Sequence, residues 1–124
     1  MATKLKEAEA RISPIRINDE KAGIVYELDF NRESVVFAEN RGFDTDNLIK
    51  FPVTNFPEFF YFSLRANHRK VTRGQADELY KRLGGFSPAF LEKLLLLYNQ
   101  AAQANNIVET TEEMGKNEGL TVEL

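Results

Sequence analysis

The chain contains no cysteine and no tryptophan, and it has a single histidine and four prolines. Without cysteine there is no disulfide, no thiolate metal site and no cysteine nucleophile. With His68 alone there is no multi-histidine metal site and no support for a Ser-His-Asp triad. No run of about 18 apolar residues occurs, so no membrane-spanning helix is expected. The opening MATKLKEAEA is charged and lacks the apolar stretch of a secretory signal, which makes the cytoplasm the expected compartment. Net charge is also small in the body of the chain. Residues 109–124 hold five Glu and one Lys, a net −4, which leaves residues 1–108 at +1 in a total of −3. A near-neutral body with an acidic end is not the profile of a nucleic-acid binder, which carries a basic face.

What the chain does have is aromatic side chains, and they are concentrated. Six of the fourteen (Phe51, Phe56, Phe59, Phe60, Tyr61 and Phe62) lie in FPVTNFPEFFYFSL, residues 51–64. Each ring buries roughly 150–250 Å², so no other stretch offers a core as much area. Asn55 followed by Pro57 and Glu58 has the spacing of a capped helix start, which predicts a helix from Phe56 to about His68. Phe56, Phe59, Phe60 and Leu64 then share one face, while Tyr61 and Phe62 point elsewhere.

The rest of the chain is organised around that helix. Residues 1–13 mix Lys, Glu and Ala and read as a loosely held arm, bounded by Pro14. Ile15 and Ile17, then Ile24, Tyr26, Leu28 and Phe30, alternate with polar or smaller residues as half-buried strands do, with residues 18–23 as the hairpin loop. Asn31 caps a helix over Arg32–Arg41 that turns Val35, Val36 and Ala38 inward and stops at Gly42. Residues 43–54 form a connector anchored by Phe43, Leu48, Ile49 and Phe51, and Pro52 argues against helix there. Thr72 with Gln75 opens another helix whose stripe is Ala76, Leu79, Tyr80 and Leu83, ended by Gly84-Gly85. Ser87-Pro88 starts the last helix, in which Leu94–Tyr98 is apolar on every side. A surface helix of a small monomer does not carry such a segment, so either neighbouring helices or another chain must cover it. The segment beyond Val108 is acidic and without periodicity, and reads as a disordered tail.

These readings make an α+β domain over residues 14–108: an N-terminal β-hairpin packed on a bundle of about four helices, with an arm (1–13) and a tail (109–124). The aromatic helix and Leu94–Tyr98 together exceed what one small core needs. A homo-oligomer or partner interface is therefore expected, with Phe59, Tyr61, Phe62, Leu95, Leu96 and Tyr98 as its contact residues.

Other constellations carry less chemistry. Arg65, His68, Arg69, Lys70 and Arg73 place five basic residues in nine positions. They read first as a solvated helix end and turn, then as a protein-partner patch, and last as a nucleic-acid contact made with Thr72–Leu83. His68 reads as a partly exposed charge partner of a helix C-terminus. Asp44 and Asp46 lack the Gly and the closing Glu of a calcium loop and read as turn residues. Gly84-Gly85 lacks the strand and the Lys of a phosphate loop. No nucleophile, base and orienter assemble from motifs, so no catalytic, metal or cofactor site is expected.

Three stretches in this order carry a resemblance: LDFNRESV with AENRGF, PEFFYFSLRANH, and LGG before the leucine-rich helix. Over roughly residues 15–100 the chain resembles a family of small phage and prophage proteins encoded among tail genes and regarded as tail assembly chaperones. The resemblance implies a non-enzymatic protein made in the host bacterial cytoplasm. It also implies binding to the long, apolar, helical tape measure protein while the tail tube protein polymerises around it. A helix-in-groove contact suits that task. The alternative is a small phage DNA-binding regulator using the Thr72–Leu83 helix and the Arg65–Arg73 cluster.

Overall fold

The computed structural model describes residues 12–106. The expected arm is therefore seen only from Ile12, and the expected acidic tail lies outside the described residues. Among the described residues a two-stranded antiparallel sheet leads into five helices: β1 (Ile15–Asp19), β2 (Ile24–Leu28), α1 (Arg32–Asn40), α2 (Asn47–Lys50), α3 (Pro52–Leu64), α4 (Arg73–Leu83) and α5 (Pro88–Asn106). The α+β architecture expected from the sequence is the one found, with the one-turn helix α2 as an addition.

Local chemistry accounts for most of the boundaries. β1 and β2 pair with Ile15 opposite Leu28 and Asp19 opposite Ile24, so the hairpin loop is only residues 20–23. Asn31 caps α1 by accepting from the Ser34 N–H at 2.8 Å, and Ser34 Oγ accepts from the Asn31 N–H at 2.9 Å. Thr72 and Gln75 form the same reciprocal pair at the start of α4. Gly84 ends α4 at φ +79°, a left-handed conformation that a side chain would resist. At Ser87-Pro88 the Ser hydroxyl accepts from the Phe90 N–H at 3.2 Å.

The aromatic helix departs from expectation at both ends. α3 begins at Pro52, not Phe56, because Pro is well placed at a first helical position, where no donor is needed. Asn55 is consequently inside the helix, its Nδ2 donating to the Phe51 carbonyl at 2.9 Å, and it caps nothing. Pro57 is inside as well and leaves the Val53 carbonyl without its helical donor, which is tolerable because Val53 is 89% exposed. The helix stops at Leu64, short of His68.

α3 is the hub, in contact with α1, α2, α4 and β2. Phe59 is stacked between Phe30 and Phe43, with centroids 5.4 and 5.1 Å away, and Tyr98 meets all three rings edge-on. A second group, Phe56, Phe60, Tyr80, Phe86 and Phe90, joins α3 to α4 and to the start of α5. Leu94 and Leu97 are fully buried, while Leu96 is 48% exposed. The neighbours therefore cover most of the all-round apolar segment. Val36, expected inward, is largely exposed, and half-buried Phe37 takes part in the packing instead.

Candidate partner-binding surface

The expected contact residues separate once their burial is known. Phe59 and Phe62 are 0% exposed and Tyr98 is 6% exposed, so none of the three can meet a partner. They are withdrawn from the surface because the rings of Phe30, Phe37 and Phe43 already occupy their faces. Tyr61 and Leu95 are half-buried against the core. Leu96 alone of the six is openly exposed. The sequence shows the aromatic surplus but not that the rings satisfy one another.

The most exposed large apolar side chains lie in and beside the connector, where Ile49 and Phe51 were expected to be anchors. Ile49 is 88% exposed, Phe51 60% and Val53 89%. Each follows from local geometry. Leu48 turns into the core from the single turn of α2, and at 100° per residue its neighbour Ile49 turns out. Pro52 disfavours the helical region for the residue before it, and Phe51 sits outside that region at φ −135°. The chain bends at Phe51, between α2 and α3, and three large apolar side chains project within five residues. Among the described residues Phe51 is the one aromatic with no ring neighbour. The signal that could have found this corner is IKFPV, in which one Pro shifts alternate apolar residues off any helical face.

Among the described residues, four of the five residues of the basic cluster, all but Lys70, are engaged within the chain. Arg65 lies 4.1 Å over the Phe37 ring, which Arg41 covers at the same distance, and its Nε is 3.8 Å from Glu33. Arg69 pairs with the same Glu33. Arg73 bonds Asp77 at 2.9 Å and Glu58 at 3.4 Å. His68 is not a helix-end charge. Its Nε2 accepts from the Glu27 N–H at 2.9 Å, and its ring meets Tyr26 edge-on at 5.3 Å. Asn67 Nδ2 donates to the Glu27 carbonyl at 3.3 Å, so the α3–α4 loop clips β2.

Between the hairpin and α4 runs a shallow groove that includes Asp19, Tyr26, His68, Lys70, Glu78 and Arg82. Two of its charges, Asp19 and Arg82, are matched to each other. Arg82 donates twice to Asp19, at 2.8 and 2.9 Å, and these bonds hold the carboxyl at about 2, below its ordinary 3.8. Asp44 Oδ1 accepts from the Asp46 N–H at 2.9 Å, a turn contact. Among the described residues no cluster of His, Asp and Glu could hold a metal ion, and no helix is long and apolar enough to cross a membrane.

No curated protein and no solved structure matches the chain. A family model does match it along its whole length. Over residues 1–124 the chain belongs to the family described as a domain of unknown function, DUF5055.

Proposed function

We propose that this chain is a non-enzymatic binding protein of the tail assembly chaperone kind. It would hold an apolar helical segment of a tape measure protein in the host cytoplasm while the tail tube forms. The observation that carries the reading is the corner of Ile49, Phe51 and Val53, exposed at 88, 60 and 89%. Isolated apolar residues on a surface need no explanation, but three within five residues, in a chain whose other rings are all buried or half-buried, form a docking feature. They project as knobs, which suits insertion between the side chains of a partner helix. Three side chains offer well under the roughly 800 Å² per partner of a stable protein–protein interface. A transient hold on a segment that must later be released is what such an area supports. The rings earlier expected at this interface belong to the core, so the contact moves to the α2–α3 corner.

Co-expression with a tape measure fragment followed by co-purification tests the reading. The fragment should be retained and soluble with the native chain and lost with Phe51→Asp or Val53→Asp. Failure of the native chain to retain it at micromolar concentration, with the fragment still aggregating, refutes the proposal.

A further inference from the structure

The two outer edges of the hairpin are treated differently. On β2 the outward backbone groups of Glu27 are taken, while among the described residues those of Val25 are not. The Glu27 N–H and C=O are held by His68 and Asn67, and the Asp29 N–H donates to the Ser63 carbonyl at 3.0 Å. Glu27 therefore lies in a pair whose backbone groups face away from the β1–β2 ladder. Its partner across the ladder, Arg16, must turn its own N–H and C=O outward too, and with a period of two so must Asn18. Among the described residues nothing bonds the outward backbone groups of Arg16 or Asn18. The edge of β2 is engaged from Glu27 onward, and the edge of β1 is open at both of its outward residues.

We propose that the open edge of β1 is an interface between two copies of this chain, paired antiparallel about a twofold axis at Ile17 into one four-stranded sheet. Ile17 is the midpoint of Ile15–Asp19, so this register alone uses every residue of the strand. It sets Arg16 opposite Asn18 of the second copy, and the two exchange both backbone bonds on each side of the axis. Ile17 meets its own mate at the axis, in the close kind of pair whose bonds face the other way. Within one chain Ile17 is only half-buried, so the mate covers apolar surface that the hairpin leaves open. The charges agree. Arg16 would lie between Asn18 of the second copy and its own Glu27, to which it already bonds at 2.9 Å. A register centred on Arg16 would oppose two guanidinium groups, and one centred on Asn18 would draw Glu20 out of the turn. A five-residue edge is small, so the dimer belongs at the weak, concentration-dependent end of the range. The proposal rests on the hairpin alone and is independent of what binds the α2–α3 corner.

Sedimentation of the full chain from roughly 10 to 500 µM should show a monomer passing to a dimer. Asn18→Pro removes the outward N–H and leaves the β1–β2 ladder its bonds, since proline is tolerated on that side of an edge strand. It should weaken the dimer roughly tenfold or more, because two hydrogen bonds go per dimer. The chain has no native cysteine, so Ile17→Cys can be oxidised cleanly, and Val25→Cys on β2 serves as its control. The close pair at the axis brings the Cα atoms within disulfide range, and Ile17→Cys should link into dimers far faster than Val25→Cys. A single particle at the highest concentration overturns the proposal. A dimer that folded Asn18→Pro leaves intact, or equal linking by the two cysteine variants, does so as well. Should Asn18→Pro fail to fold, the cysteine pair decides.

Discussion

Phe51 and Phe59 belong to one aromatic run and have opposite fates. Phe59 is stacked on two rings with nothing exposed, and Phe51 faces outward without a ring beside it. Phe59→Ala should lower stability by about 3–5 kcal/mol, because the cavity adds to the lost transfer energy. Phe51→Ala should change it by no more than about 0.5 kcal/mol. Denaturant melts of the two variants make the comparison, and a large loss at Phe51 would remove it from the docking surface. Asp19 carries a different signature. Its carboxyl is ionised in the fold down to about 2, against an ordinary 3.8, because Arg82 bonds both oxygens. The unfolded chain therefore takes up the proton first as pH falls. The stabilisation is complete above about 3.8 and is lost as pH drops through about 2. Melts from pH 5 to 2 should show native chain and Asp19→Asn converging at the acid end.

At the scale of elements the hairpin depends on what clips it, since two strands alone are marginal in water. His68 and Asn67 hold the outer edge of β2, and Arg82 holds the turn through Asp19. His68→Ala leaves the Glu27 N–H without an acceptor at a part-buried position, with a loss of about 1–3 kcal/mol. Hydrogen exchange should show the Glu27 amide deprotected before those in α3. The alternation at Ile15–Ile17 and Ile24–Leu28, the Asn31 and Thr72 caps, the Ser87-Pro88 start and the Gly84 stop were all legible, because each is decided by neighbours in sequence. The start of α3 is misread from sequence because both Asn55 and Pro52 are acceptable openings, and the chain uses Pro52 at the first helical position. His68 was misread for a related reason. Its acceptor role depends on a strand forty-one residues away, which no local pattern reveals. The surface residues were the least legible. A surplus of rings says that something must be covered, and only tertiary geometry says that the rings cover one another.

At the scale of the whole molecule, charge separates the two readings of function. Arg65, Arg69 and Arg73 are each set against a carboxylate of their own chain, so a phosphate backbone would have to displace Glu33, Glu58 or Asp77. DNA should therefore not be retarded by micromolar protein at physiological salt in a gel-shift titration. Salt-sensitive retardation that weakens with Arg69→Ala or Arg73→Ala would favour the regulator over the chaperone. The apolar corner makes the opposite expectation, because contacts of that kind persist as salt rises. Its compactness in sequence has a further consequence. Ile49, Phe51 and Val53 fall in one pentapeptide, and the residue that fastens it to the interior, Leu48, lies just outside. Exchanging the side chains at 49, 51 and 53 while Pro52 is kept should therefore alter the proposed contact and leave the scaffold undisturbed.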